Sequence, residues 1–170
     1  RGFTMADKNT KCPGTFKALA KKAGYIKDMG FNVIMLMPAY EFHEVKPQIK
    51  DRYSVNYSPL NKVNYWGYTD GYYFAPKRAY AYSDDMQTEF RDMVKAYHRL
   101  GIEVIMEFFF PDNMSVQVML EILKFWHINN HVDGFRLICS SGCLYAAQTD
   151  MALMDCKIFA SDFGGEICSM

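Results

Sequence analysis

The sequence predicts an α/β fold in which parallel strands alternate with helices, and three observations carry that reading. Two amphipathic stretches at helical spacing each stop at a glycine, and each leads directly into a short, nearly continuous apolar run. The rhythm recurs without an internal repeat of about 20 to 50 residues and without a Pro/Gly/Ser-rich linker, so a single domain is expected over residues 1–170. Half of the 170 residues are hydrophobic and 16% are aromatic, which fills one core and is too little for two ordinary domains.

The first helix is expected over Thr15–Met29, with Phe16, Leu19, Ala20, Ala23, Ile26 and Met29 on one face and Gly30 as its stop. Asn32–Met37 then reads as a strand buried on both faces and closed by Pro38. The second unit opens at Asp84, paired with Gln87 as a capping box, and runs through Met86, Phe90, Met93, Val94, Tyr97 and Leu100 to Gly101. Ile102–Phe110 follows as a buried strand ended by Pro111-Asp112-Asn113. Ser115 caps a third helix carrying Val118, Met119, Ile122, Leu123 and Trp126, and His131–Ile138 is the next strand. A weaker helix near Leu144–Met154 and a last strand at Lys157–Ala160 complete the series.

Helices between strands imply right-handed crossovers and a parallel sheet, either open or part of a (β/α) barrel, with function at the strand C-termini in both. A full eight-stranded barrel needs at least ~200 residues, so this chain supplies only part of one.

Nineteen basic and nineteen acidic side chains cancel, so no global field advertises nucleic acid or an anionic membrane. The longest apolar runs, such as Phe108-Phe109-Phe110, fall far short of the ~20 residues that cross a bilayer. The chain opens on Arg1-Gly2-Phe3-Thr4, which suggests part of a longer protein. Five cysteines (Cys12, Cys139, Cys143, Cys156, Cys168) lack paired zinc-ligand spacing, and an odd count fits a reducing, cytoplasmic compartment where cysteine is a small buried hydrophobe. No cofactor or metal is expected; His43 and His131 lack partners at ligand spacing, and His98 reads as a surface or packing residue.

About 45 residues between Pro38 and Ser83 break the rhythm, and connections of that length are usually functional or disordered. Nine of the twelve tyrosines lie there (Tyr40, Tyr53, Tyr57, Tyr65, Tyr68, Tyr72, Tyr73, Tyr80, Tyr82), with Phe42, Trp66 and Phe74, which argues against disorder. The segment is expected to fold across the strand C-termini. Its rings suit either the alternating C–H and hydroxyl faces of a sugar or simple packing of the segment on itself.

Arg1-Gly2-Phe3-Thr4, Gly14-Thr15-Phe16, Met37-Pro38-Ala39-Tyr40-Glu41-Phe42, Asn64-Tyr65-Trp66-Gly67-Tyr68 and Tyr73-Phe74-Ala75-Pro76-Lys77, in this order, resemble the alpha-amylase superfamily, glycoside hydrolase family thirteen, and within it the pullulanase and isoamylase branch. Gly101–Met106 and Val132-Asp133-Gly134-Phe135-Arg136-Leu137 continue the likeness. The resemblance implies a partial (β/α)8 TIM barrel, about strands one to five, and a protein of α-glucan metabolism.

Two carboxylates flanking the glycosidic bond are the minimum for retaining hydrolysis. The family places its nucleophile two residues after the strand-four arginine; here Arg136 is present and the nucleophile position is Ile138. An aliphatic side chain can neither attack an anomeric carbon nor balance an oxocarbenium ion. Ser161 stands where the general acid is expected, next to Asp162, with Glu166 nearby. In the strand-three motif, Asp, Asn and His are replaced by Glu107, Pro111 and Asp112, which removes the calcium ligand some members use.

The resemblance therefore implies Tyr65, Trp66, Tyr68 and Arg136 as sugar-binding residues, with Ile138 and Ser161 as degenerate catalytic positions. Arg136 has the alternative of a structural ion pair with Asp133, Glu107 or Asp162. Three functions follow: a degenerate α-glucan-recognising relative; an active glycosidase or transglycosidase using relocated carboxylates, Glu107, Asp112 and Asp162; or a structural half-barrel that pairs with a second copy or a missing half.

Overall fold

The computed structural model describes residues 2–7, 10–44 and 64–160. Its sheet contains β1 (Val33–Leu36), β4 (Glu103–Phe109), β5 (Gly134–Ile138) and β6 (Lys157–Ala160) in the order β1-β4-β5-β6, and every pairing is parallel. Helices α4 (Met86–His98) and α5 (Val116–Asn130) form crossovers. α6 (Ser141–Thr149) and a 3-10 turn at Met151–Leu153 lead into β6.

Alternation along β4 divides the molecule into two faces. Val104, Met106, Phe108 and Phe110 are buried with Phe90, Met93, Val94 and Tyr97 of α4 and Met119, Ile122, Leu123 and Trp126 of α5. Trp126 is the hub, its ring 5.0 Å from Phe90 and 5.9 Å from Phe108. The other face carries Glu103, Ile105, Glu107 and Phe109 on β4, with Arg136 and Ile138 opposite the last two on β5. This is the face turned toward a barrel interior.

Several expectations need correction. The helix expected over Thr15–Met29 is two short ones, α2 (Phe16–Ala20) and α3 (Ala23–Asp28), after a four-residue α1 (Gly2–Met5). The break falls at Lys21-Lys22, where Lys22 N–H donates to the Leu19 carbonyl and the Lys22 ammonium pairs with Asp7 at 2.5 Å. Met29 consequently leaves the buried face and is exposed. The cap of α4 is Asp85, which accepts from Thr88 N–H at 2.9 Å; Asp84 instead takes the Arg78 guanidinium at 2.7 Å. Among the described residues β1 has a single neighbour, and with Met35 exposed it is not buried on both faces. The weak last helix begins at Ser141, earlier than expected, and ends where Asp150 caps the 3-10 turn and pairs with Lys124.

The long tyrosine-rich connection contributes β2 (Tyr40–Phe42), β3 (Gly71–Pro76) and a 3-10 turn at Arg78–Tyr80. β2 and β3 pair antiparallel as a separate two-stranded sheet. Tyr53 and Tyr57 lie outside the described residues, as do Ser161, Asp162, Glu166 and Cys168.

Candidate functional site

The site forms where the two-stranded sheet meets the C-terminal end of β4. Tyr40 is fully buried and its ring stacks on Phe108 at 5.1 Å with 19° between planes. Its hydroxyl donates to the Gly67 carbonyl at 3.1 Å and accepts from Phe109 N–H at 3.4 Å. Tyr73 donates to the Phe109 carbonyl at 3.0 Å, and Trp126 Nε1 donates to the Tyr73 carbonyl at 2.6 Å. Aromatic side chains thus fasten the connection to the strand end, as the sequence suggested. Burial makes both phenols weaker acids, pushing the pKa of Tyr40 well above the ordinary tyrosine range and that of Tyr73 up to about 12 with Asp70 contributing.

The Asn64–Tyr68 segment turns because Asn64 Oδ1 accepts from both Trp66 N–H and Gly67 N–H at 3.1 Å. Gly67 has φ +75°, and a Cβ there would lie 2.7 Å from the Pro38 side chain, so glycine meets both a conformational and a steric demand. The turn presents Tyr65 and Trp66, 65% and 60% exposed, with Trp66 stacked on Tyr68 at 6.1 Å and 30°. Tyr68 in turn lies over Phe109 at 6.4 Å. Asn64 and Tyr40 escaped the sequence reading as site residues, although the N-x-x-G spacing is a recognisable turn signal.

Arg136 Nη1 donates to Glu107 Oε2 at 2.7 Å across the register pair that joins β4 to β5. Of the three ion-pair partners weighed for Arg136, the structure shows Glu107. Asp133 is engaged elsewhere, holding Val104 N–H and His98 Nε2 at 2.7 Å each, so His98, a surface residue as the sequence suggested, is also tied to a carboxylate. The Glu107 carboxylate is almost wholly buried, while the Arg136 side chain remains 27% exposed. Tyr68 hydrogen-bonds to Glu107, and its phenol is pushed up to about 12, by burial first and then by that carboxylate.

Ile138 sits two residues beyond Arg136 on the same face, opposite Phe109, and its carbonyl accepts from Phe110 N–H at 2.9 Å. Asp112 is exposed in the turn that follows β4. The structure therefore brings Trp66, Tyr68, Glu107 and Arg136 into one contiguous group, beside which Ile138 offers no acid or nucleophile. Ser161 and Asp162 lie outside the described residues. No group of three or more His, Cys, Asp or Glu among the described residues is placed to hold a metal ion, and no described helix is long and apolar enough to cross a membrane.

No protein-family model matches the chain. Its sequence is 34% identical over 137 residues to the chloroplastic isoamylase SU1 of Zea mays, covering 76% of this chain and 16% of that protein. It is 27% identical over 205 residues to the glycogen debranching enzyme of Dickeya chrysanthemi, covering 86% and 30%. The chain thus spans less than a third of the length of these curated relatives. Solved structures share the fold, and two of them illustrate it. The pullulanase from Bacillus acidopullulyticus superposes with a TM-score of 0.72 at 16% identity, over 100% of this chain and 27% of its own. The catalytic module of the pneumococcal glycogen-degrading virulence factor SpuA gives 0.71 at 19%, over 94% and 29%. With parallel strands in barrel order, the motif residues gathered at their C-terminal ends and debranching enzymes as sequence relatives, this chain belongs to the alpha-amylase superfamily, glycoside hydrolase family thirteen, as part of its barrel.

Proposed function

We propose that this chain recognises α-glucan through Tyr65, Trp66, Tyr68 and Arg136 and does not hydrolyse it. One observation carries the reading: beside Arg136, at the strand end where the family nucleophile belongs, stands Ile138. Ser161 at the general-acid position points the same way. The relocated-carboxylate alternative is less well supported, because Glu107 is buried in an ion pair with Arg136 and Asp112 is exposed. An acid that must protonate a leaving oxygen has to reach it, and Glu107 is buried against the guanidinium.

The aromatic platform supports sugar recognition independently of hydrolysis. Trp66 and Tyr68 form a stacked pair with the indole largely exposed, which suits the flat apolar face of a pyranose ring. Other pullulanases of this fold have been seen with maltose and with maltotriose, so short maltooligosaccharides are the natural probes. We further propose residues 1–170 as a single partial-barrel domain, in a reducing, cytoplasmic setting that the buried and half-buried cysteines favour; the plant relatives are chloroplastic.

Two measurements test the proposal. Maltotriose should raise the melting temperature of the wild type, and Tyr68→Ala should cost about 1 kcal/mol of binding through lost stacking. Hydrolysis of starch, pullulan and a chromogenic α-glucoside should stay at background for the wild type, since general acid–base assistance alone is typically worth roughly 100-fold to 10,000-fold. Ile138→Asp, Ser161→Glu and the double variant provide the comparison on the same substrates. Robust wild-type turnover that vanishes with Glu107→Gln or Asp162→Asn would install the relocated-carboxylate enzyme instead.

A further inference from the structure

We infer that Lys77 is a positioning residue of the aromatic platform: its buried ammonium gathers Glu41, Phe42 and Glu44, and these seat the turn that presents Trp66 and Tyr68. Lys77 directly follows β3 and is only 2% exposed. A lysine is almost never so buried unless it is paired, because its charge must leave water. Its Nζ donates to the Phe42 carbonyl at 2.7 Å and to Glu41 Oε1 at 3.0 Å, and Glu44 Oε1 lies 3.8 Å away. The ammonium also stands over the Phe42 ring, 4.0 Å from its centroid. Glu41 is held from a second side by Arg78 N–H, which donates to Oε2 at 2.7 Å.

Two of the residues that Lys77 gathers lead on to the turn. Asn64 N–H donates to the Glu44 carbonyl at 2.6 Å, which anchors the start of the turn. The Phe42 ring lies against Gly67, where a Cβ would come within 2.8 Å of it, and the Tyr40 hydroxyl holds the Gly67 carbonyl. Trp66 falls between these two anchors, and Tyr68 follows the second. The fold itself does not demand the charge. Glu41 and Glu44 keep 28% and 24% of their side chains exposed, so water can serve both carboxylates if the ammonium is removed. What the ammonium adds is a fixed spacing among a carboxylate, a carbonyl and a ring, and hence a fixed place for the turn. A platform already held in its binding conformation loses less freedom when a pyranose ring settles on it. The ligand here rests on the sugar-recognition reading, whereas the placement of Trp66 does not, so the two can fail separately.

The test uses the full 170-residue chain and Lys77→Met, which keeps most of the stem and removes the charge. In near-ultraviolet circular dichroism, subtracting a Trp66→Phe spectrum isolates the stacked Trp66 from buried Trp126. That difference signal should be largely lost when both members of the subtraction carry Lys77→Met, with no sugar present. Maltotriose affinity by calorimetry should fall roughly tenfold, the penalty of ordering two freed aromatic side chains on binding. Lys77→Arg, which keeps a cation over the Phe42 ring, should recover part of both readouts. Ile122→Val on α5 is the comparison for a purely structural loss: it should lower the melting temperature and leave the Trp66 signal and the affinity unchanged. If Lys77→Met does not fold, Glu41→Ala, at the more exposed end of the same ion pair, is read in the same way. An unchanged Trp66 signal in the folded variant overturns the inference, and so does an equal loss of that signal in Ile122→Val. A wild type that binds no maltotriose sinks the sugar reading instead, and the Trp66 signal then decides the positioning role by itself.

Discussion

Arg136 and Glu107 illustrate how a single side-chain pair fixes the site. The Glu107 carboxylate is buried with only one of its oxygens held by the guanidinium, while Oε1 has no hydrogen-bond partner among the described residues. A buried pair is weak evidence of net stabilisation, but removing one member strands the other charge in a low-dielectric setting. Arg136→Ala is therefore expected to destabilise the fold by about 3 kcal/mol, and Arg136→Ala combined with Glu107→Leu should recover much of that loss. Urea unfolding of the two single variants and the double variant closes the cycle; additive losses would show that the pair is not coupled. Ile138, two residues away, is the residue whose identity decides the chemistry proposed for this strand end, and no packing argument demands it.

At the scale of elements, Glu89 on α4 does more than its helix position suggests. Its carboxylate accepts from the backbone N–H groups of Lys17 on α2, Tyr82 and Ser83, at 2.9 to 3.0 Å, and from the Ser83 hydroxyl at 3.1 Å. It thereby binds α2 and the end of the long connection to α4. Burial opposes ionisation here, yet these donors prevail and hold the carboxyl below its ordinary 4.5. A depressed native value means that the unfolded chain binds the proton more readily. The contribution is thus full above the unfolded value and is lost as pH falls through the native one. Glu89→Gln should lower stability at neutral pH by about 1 to 3 kcal/mol, the scale of hydrogen bonds to a charged group. The difference from wild type should shrink toward pH 3 in parallel chemical denaturation series. A gap that stays constant across that range would show that ionisation of Glu89 is irrelevant.

For the molecule as a whole, the cysteines report on packing. Cys12 and Cys143 are buried, and Cys139 and Cys156 are partly covered. Burial pushes the Cys139 thiol up to about 12, with neighbouring Cys143 contributing, and Cys156 to about 11 with Asp133 and Asp155 adding to it. Thiolates, not thiols, react, so Cys139 and Cys156 should label slowly with iodoacetamide at neutral pH in the native protein, Cys12 and Cys143 slowly because burial shields them, and all four quickly after denaturation. Peptide mapping by mass spectrometry reads each site separately. Rapid native labelling of Cys139 would contradict the packing at the end of β5.

The alternation of helices and apolar strands was legible in the sequence because helical period and buried-strand composition are local properties, and Lys157–Ala160 emerged with the same limits in the structure. So were the Ser115 cap and the stops at Gly30 and Gly101, each set by a few neighbouring residues. Other features depended on groups far apart along the chain. Lys22 meets Asp7 where the first helix breaks, Glu89 draws in Lys17 from 72 positions away, and Tyr40 finds Gly67 and Phe108. Asp133 chose His98 and Val104, leaving Arg136 to Glu107, because strand register places Glu107 and Arg136 directly opposite each other. The exposure of β1 was likewise invisible locally: the same apolar run is a core strand or an edge according to how many neighbours the sheet supplies. Sequence alone determined which segments are helices and strands, because periodicity is written residue by residue; only the tertiary structure decided which side chains share a site, because pairing and burial are settled between segments that the chain itself keeps far apart.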